Sequence, residues 1–215
     1  MAKNQLWNDD YWLLIMQLYL RKPVGVKPIF SRELVALSLE LHIAPQQLHQ
    51  RMTDIANLET PRIERIWNEY SKNPQRLTRA VRLLRDMKGF NSAGDFFEGV
   101  SIEETFEGDF RPLAEDGRLM PFMLVMILDL YFRLTPITMV AETPEVRDLS
   151  SLMHIPVKLI VEVLLVYQDL DPYLRRQEHS SSQLVQPCRL IWERYSNMEP
   201  TQLAEYAKQL SYYFK

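Results

Sequence analysis

Apolar residues recur along the chain at spacings of three and four, which is the period of helices that bury one face. Over residues 1–90 the pattern predicts five helices with recognisable starts. Asn8 is the expected cap of the first helix, Ser31 caps the second, and Pro45 opens the third. A fourth helix is centred near Ile66, and a fifth begins near Pro74. Strand-like alternation is absent, so the pattern predicts an all-α fold.

The same periodicity assigns the side chains that face the core. Each helix carries one apolar stripe, and burial of these stripes is what is expected to hold the helices together. The predicted inward residues are Leu34, Ala36, Leu37 and Leu41 on the second helix, Leu48, Met52, Ile55 and Leu58 on the third, and Leu77, Val81 and Leu84 on the fifth.

The chain also matches itself at a shift of 112 positions, without a gap over the first three helices. The match resumes after thirteen extra residues in the second copy, and once more after a single further insertion. We interpret this as a tandem duplication, with modules at 1–90 and 119–215 and a connector at 91–118. The matched residues are Ile15, Leu18, Tyr19, Arg21, Glu33, Leu37, Ser38, His42, Ile43, Leu58, Ile66, Trp67, Tyr70, Ser71 and Leu77, and their counterparts are Ile127, Leu130, Tyr131, Arg133, Glu145, Leu149, Ser150, His154, Ile155, Leu170, Ile191, Trp192, Tyr195, Ser196 and Leu203.

Within each copy, a short helix, a tight turn and a second helix have the spacing of a helix-turn-helix unit. In the first copy the turn lies near His42-Ile43-Ala44 and the second helix closes on Leu58. In the second copy the unit runs from Thr143, the expected cap, to Leu170. The predicted fold is therefore all-α, with two tandem modules of about five helices that each contain a helix-turn-helix-like unit.

These units resemble the small helical module often found N-terminal to HNH-type nuclease domains. The likeness covers about fifty residues per copy. In the second copy it is carried by Leu128-Asp-Leu-Tyr-Phe-Arg133, Thr143-Pro-Glu-Val146, Leu149-Ser150 and Gln168-Asp-Leu-Asp-Pro172, and more loosely in the first by Leu18-Tyr-Leu-Arg21, Glu33, Leu37-Ser38 and Asn57-Leu58. The resemblance implies a DNA-associated helical domain. The nuclease itself is absent, and His42 and His154 replace the family's usual glycine at the helix-to-helix turn.

Charge distinguishes the copies. Residues 1–90 hold 14 Lys and Arg against 9 Asp and Glu, residues 91–118 hold 2 against 8, and residues 119–215 hold 9 against 11. A basic module is thus followed by an acidic connector and a mildly acidic module.

The basic residues of the first module form a row on its last two helices. Arginines recur at every third position of the fifth helix, and such a row could lie along phosphates. The alternative is a solvated helix face with favourable cations near its C-terminus. The residues concerned are Arg62 and Arg65 on the fourth helix, Arg76, Arg79, Arg82 and Arg85 on the fifth, and Lys88 beyond it.

The outer face of the third helix offers candidate base-reading residues. Gln and Arg side chains can pair with adenine and guanine edges in the major groove. The alternative is the ordinary polar face of a surface helix, and Asp54, on the same side, would repel phosphate. The candidates are Gln46, Gln47, His49, Gln50 and Arg51.

The equivalent helix of the second copy is apolar around most of its circumference, and only Lys158 and Glu162 form a polar pair on it. A helix of this kind must be buried. It can be covered by its own module, by the first module, or by a second chain, in which case the protein is a homodimer. The apolar residues are Val157, Leu159, Ile160, Val161, Val163, Leu164, Leu165 and Val166.

The connector combines carboxylates with four phenylalanines. We expect the aromatic side chains to pin it between the modules. A second possibility is that its carboxylates lie over the arginine row and compete with nucleic acid. The aromatic residues are Phe96, Phe97, Phe106 and Phe110, and the carboxylates that would test the second possibility are Glu103, Glu104 and Glu107.

No catalytic, cofactor or metal site is expected. Phosphate-binding, dinucleotide-binding, zinc-protease and serine-hydrolase motifs are missing. His42 and His154 are expected to end helices, and Cys188 is expected to be buried and inert. A single cysteine favours a reducing, cytoplasmic location, and the apolar stretch 119–132 is too short to span a bilayer.

Two functions from different classes follow. The first is a non-enzymatic, DNA-binding or DNA-associated regulatory protein that contacts phosphates of double-stranded DNA through the arginine row. The second is a protein interaction or assembly scaffold that binds itself or another protein and no nucleic acid.

Overall fold

The computed structural model describes residues 7–87, 90, 106–174 and 181–215. These residues form eleven α-helices and short 3-10 turns with no strand, so the all-α prediction is confirmed. The chain divides into two compact units, 1–101 and 102–215, and each is described by itself.

Unit 1 (residues 1–101) contains the five predicted helices. The side chain of Asn8 accepts a hydrogen bond from the backbone N–H of Asp10 at 3.0 Å and caps a 3-10 turn that leads into the first helix. Pro occupies the first position of three helices, where its missing N–H costs nothing. The helices are α1 (Trp12–Leu20), α2 (Arg32–Leu41), α3 (Pro45–Asn57), α4 (Pro61–Tyr70) and α5 (Pro74–Arg85).

The core of unit 1 forms around α1, which packs against α3, α4 and α5. The predicted inward residues of α3 and α5 are buried except Leu58, which follows α3 and is exposed. On α2 the prediction for Ala36 is wrong, because Ala36 is exposed and Val35 is buried instead. The buried face of α2 therefore includes Val35 in addition to the leucines from which it was predicted.

Unit 2 (residues 102–215) is built around α7, against which α8, α9, α10 and α11 pack. Its helices are α6 (Phe106–Asp109), α7 (Pro121–Arg133), α8 (Pro144–Met153), α9 (Val157–Leu170), α10 (Val185–Tyr195) and α11 (Pro200–Leu210).

Several local features recur in both units. The bounds of α2 shifted by 112 positions are those of α8 at both ends. Tyr19 meets the edge of Trp67 at 5.8 Å between ring centroids, and Tyr131 meets Trp192 at 5.8 Å in the same arrangement. The two units therefore share these local features, and the duplication stays an interpretation of the sequence.

The helix-to-helix turn of each unit contains a histidine in a backbone conformation that favours glycine. His42 and His154 end α2 and α8 with φ of 55° and 56°, in the left-handed region that glycine enters without strain. The next residue, Ile43 or Ile155, donates its backbone N–H to the carbonyl of Ser38 or Ser150. Both histidines therefore end helices, as predicted.

The apolar helix α9 is covered by its own unit. It packs against α7, α8 and α10, and most of its apolar side chains are buried. Leu165 is exposed and Val161 is half-buried, which leaves little apolar surface on α9 for a second chain. The homodimer remains a prediction.

No single helix in the described ranges is long and apolar enough to cross a membrane. The pair α8 and α9 reaches the required length and composition only when joined across a bend of 115°.

Candidate nucleic-acid interface

The arginine row on α5 does not present one continuous charged stripe. A step of three residues turns a side chain by about 60° around an α-helix, so Arg76 and Arg85 lie about half a turn apart. Arg76 pairs with Glu69 of α4 at 2.6 Å. On the other flank, Arg85 holds both carboxylate oxygens of Glu40 on α2, at 2.6 and 2.8 Å. The two ends of the row thus join α5 to its neighbours.

The α4 arginines are also partly engaged. Arg62 forms an ion pair with Asp9 at 2.7 Å, and both side chains are exposed. Arg65 donates through Nε to the carbonyl of Pro61 at 3.3 Å, within its own helix. Lys88 lies outside the described residues. The Asp9 carboxylate partly offsets the positive field that a phosphate would feel beside Arg62, so Arg62 contributes less than its formal charge suggests.

The centre of the row is different. Arg79 and Arg82 are exposed and form no ion pair with any residue in the described part of the chain. They border an open depression of about 370 Å³ that is also lined by Pro74, Gln75 and Thr78. Two large apolar side chains lie on the same helix and just beyond it: Leu83 is 55% exposed and Met87 is 59% exposed. We call Arg79, Arg82, Leu83 and Met87 the α5 face.

The candidate base-reading residues of α3 are largely held by the protein. Asp54 is buried, and it accepts hydrogen bonds from Gln50 at 3.1 Å and from Arg51 at 3.4 Å. The Arg51 guanidinium also lies over the Trp7 ring, 4.9 Å from its centroid. These contacts fix Gln50 and Arg51 along the helix surface.

The other three candidate base-reading residues of α3 differ in how far their side chains are exposed. His49 is half-buried, and burial lowers its pKa, so the imidazole is neutral near pH 7. Gln46 and Gln47 are exposed at the start of α3. Two glutamines are a small surface for reading bases, because specific recognition helices bring three or four side chains to base edges.

The described part of the connector belongs to unit 2. Phe110 is buried against Phe122, with ring centroids 5.1 Å apart. Asp109 pairs with Arg194 at 3.1 Å, and Glu107 pairs with Arg111 at 3.2 Å. Glu107 therefore has a partner in its own unit.

Glu103 and Glu104 lie outside the described residues, as do Phe96 and Phe97. The proposal that connector carboxylates cover the arginine row is untested for these positions.

Within residues 7–87, 90, 106–174 and 181–215, no group of three or more His, Cys, Asp or Glu side chains is placed to hold a metal ion. Cys188 is fully buried, and burial raises the pKa of its thiol to about 12, as expected of an inert cysteine. Tyr131 donates to Asp171 at 2.7 Å, a contact that ties the ends of α7 and α9 together.

The sequence did not predict two sets of interactions, one between distant positions and one within α3. Glu40 and Arg85 are 45 residues apart, and no local pattern connects them. Asp54 was recognised as unfavourable to phosphate, yet its role in holding Gln50 and Arg51 was not predicted. Gln50 and Asp54 are four residues apart, and this spacing places two side chains next to each other on a helix, so it could have predicted their hydrogen bond.

The chain matches no protein-family model, no curated protein and no solved structure. The resemblance to the module that precedes HNH-type nucleases therefore remains an expectation that rests on the residues quoted above.

Proposed function

We propose that this chain is a non-catalytic protein interaction module and that the α5 face is one of its contact surfaces. The observation that carries the proposal is the composition of that face: Arg79 and Arg82 without ion-pair partners among the described residues, beside Leu83 and Met87 with more than half of each side chain exposed. Arginine and methionine are enriched at protein interfaces. Phosphate makes no use of exposed leucine and methionine.

The distribution of charge supports this choice over nucleic acid. Affinity for DNA grows with the number of phosphates that a protein neutralises. Arg62, Arg76 and Arg85 each have a carboxylate within 2.7 Å, and that carboxylate would have to be displaced or would stay beside the phosphate. The effective cationic surface is thus reduced towards Arg79 and Arg82.

Double-stranded DNA binding is the second candidate. It is favoured by the excess of basic residues, 14 against 9, in residues 1–90. Exposed ion pairs are weak, about 0–1 kcal/mol, so phosphate can compete for some of these arginines. Since Gln50 and Arg51 are held by Asp54, such binding would follow the backbone and would not depend on sequence.

A salt titration separates the two functions. The affinity of the full chain for a labelled mixed-sequence duplex is measured by fluorescence anisotropy at 50 and 200 mM salt. Two phosphate contacts predict a fall of about 12-fold over this fourfold change in salt, whereas seven predict about 6,000-fold. An interaction module should show weak binding and a shallow slope. Tight binding with a steep slope, lost in Arg79→Gln/Arg82→Gln but not in the control Arg189→Gln on α10, would overturn the proposal.

A peptide selection tests the interaction role directly. Peptides are selected from a displayed random library on the full chain, and each is then measured against Leu83→Ser and Arg82→Gln. We expect acidic peptides with apolar side chains whose affinity falls about tenfold in each variant. Selected peptides that bind both variants as well as the parent chain would refute the assignment of the α5 face.

A further inference from the structure

Unit 2 contains a groove of about 310 Å³ between α7, α8 and α11. Its walls are mainly apolar, and α8 and α11 border it on either side of α7. The lining residues are Met126, Asp129 and Arg133 of α7, Leu149 and Leu152 of α8, Ala204, Ala207 and Lys208 of α11, and Ser211 just beyond it.

The same place in unit 1 is bridged. In the alignment of the chain with itself, α2 corresponds to α8 at a shift of 112 positions, so Glu40 corresponds to Leu152. The helix α5 corresponds to α11 at a shift of 126 positions, so Arg85 corresponds to Ser211. In unit 1 that pair joins α2 to α5 through two hydrogen bonds. In unit 2 Ser211 instead donates to the carbonyl of Lys208 at 2.6 Å, and no side chain pair bridges Leu152 and Ser211.

At two further positions, the side chains that line the groove are smaller than their counterparts in unit 1. Ala204 and Ala207 of unit 2 correspond to Thr78 and Val81 of unit 1, so both positions on α11 carry smaller side chains. All four differences replace charge or bulk by small or apolar groups along one groove. Unit 1 thus carries larger or charged side chains at the four equivalent positions.

Two cations stand at the mouth of the groove. Arg133 and Lys208 expose 56% and 67% of their side chains. Arg133 contacts Asp129 at 2.9 Å through one of its two terminal nitrogens, which leaves other donors of the guanidinium available. Lys208 lies 3.5 Å from Glu205, a surface pair that contributes little. The carboxylate of Asp129 lies deeper than either cation.

We infer that this groove binds an acidic segment of a partner protein, which inserts one or two large apolar side chains between Leu149 and Leu152 on α8 and Ala207 on α11. Carboxylates of that segment meet Arg133 and Lys208. A volume of 310 Å³ is at the lower end of the 300–1,000 Å³ typical of ligand pockets, so it suits anchoring side chains better than a cofactor. The inference rests on the proposed function in one respect, which is that the partner is a protein. The groove and the α5 face share no residue, so each site can be tested separately.

The test uses the full chain and a fluorescein-labelled peptide of sequence DELFDELL. Anisotropy should show saturable binding that weakens as salt is raised. The variant Leu152→Glu/Ala204→Thr/Ala207→Val carries the unit 1 residues at three groove positions and should bind at least tenfold more weakly. Lys208→Gln, an exposed change that does not threaten folding, should weaken binding about threefold, and the control Lys158→Gln on α9 should have no effect.

Two control peptides and one control variant identify the site. The peptide KKLFKKLL tests the charge, and DESSDESS tests the apolar anchors; neither should bind. Arg79→Gln/Leu83→Ser alters the α5 face and should leave binding of DELFDELL unchanged. The inference is overturned if the parent chain does not bind DELFDELL at 1 mM, if Lys208→Gln and a folded groove-filling variant bind as well as the parent, or if the α5 variant abolishes binding.

Discussion

Replacing His154 by glycine should stabilise the protein. His154 is exposed and has a φ of 56°, where the Cβ of an L-residue approaches the following carbonyl oxygen. The left-handed conformation costs about 1–2 kcal/mol for a residue with a Cβ and almost nothing for glycine. Against this gain, glycine lowers the stability by about 0.5–1 kcal/mol, because it gives the unfolded chain more conformational freedom. The net gain should be about 0.5–1 kcal/mol.

The assay is urea unfolding followed by circular dichroism, with a thermal melt as a second readout. For a cooperative chain of 215 residues, 1 kcal/mol corresponds to about 2–4 °C in Tm. His154→Ala is the matched control, since alanine removes the imidazole but keeps the Cβ. It should be no more stable than the parent chain.

The reasoning about backbone strain would be refuted if His154→Gly were no more stable than His154→Ala. The equivalent change in unit 1, His42→Gly, should give a smaller gain. His42 is half-buried whereas His154 is exposed, so removal of the His42 side chain costs more packing contacts.

Three other predictions concern single side chains. Cys188, whose thiol pKa is raised to about 12 by burial, should react with a thiol reagent at pH 8 only at the rate at which the chain unfolds, and rapid labelling of the native protein would contradict its burial. Tyr131→Phe removes the 2.7 Å hydrogen bond to Asp171 and should cost about 1.5 kcal/mol in urea unfolding, whereas Tyr19→Phe, the matched change in unit 1, should be nearly neutral. Burial lowers the pKa of His49 below the ordinary 6.5, so the unfolded chain takes up a proton before the folded chain as the solution is acidified. Stability should therefore fall from pH 7 towards pH 5, and His49→Gln should reduce that slope; equal slopes in melts of the two proteins would show that His49 does not contribute.

The sequence predicted the all-α class and most helix starts because both depend on local chemistry. Proline at the first position of α3 and α5 and the apolar spacing of three and four act within one helix, and both are visible in a single sequence. The positions of Ser31 and Thr143 at helix starts were also predicted. Neither hydroxyl caps its helix, however. Thr143 donates instead to the carbonyl of Thr138, and the buried Ser31 hydroxyl has no hydrogen-bond partner among the described residues.

The candidate site was harder to predict because it depends on which charges meet across helices. The regular spacing of Arg76, Arg79, Arg82 and Arg85 suggested one surface, yet the first and last of them point to different neighbouring helices. That outcome follows from the placement of α2 and α4 around α5, which sequence spacing does not define. The groove of unit 2 was missed for the same reason, since it comes from small residues on α11 opposite Leu152 on α8.

The repeated pairing of tyrosine and tryptophan has a practical consequence. Of the four tryptophans, Trp7, Trp12 and Trp67 belong to unit 1, and Trp192 alone belongs to unit 2. With the first three changed to phenylalanine, emission from Trp192 becomes an optical signal confined to the second half of the molecule. Denaturation recorded by that signal and by total helicity would show whether the two units unfold together or one after the other.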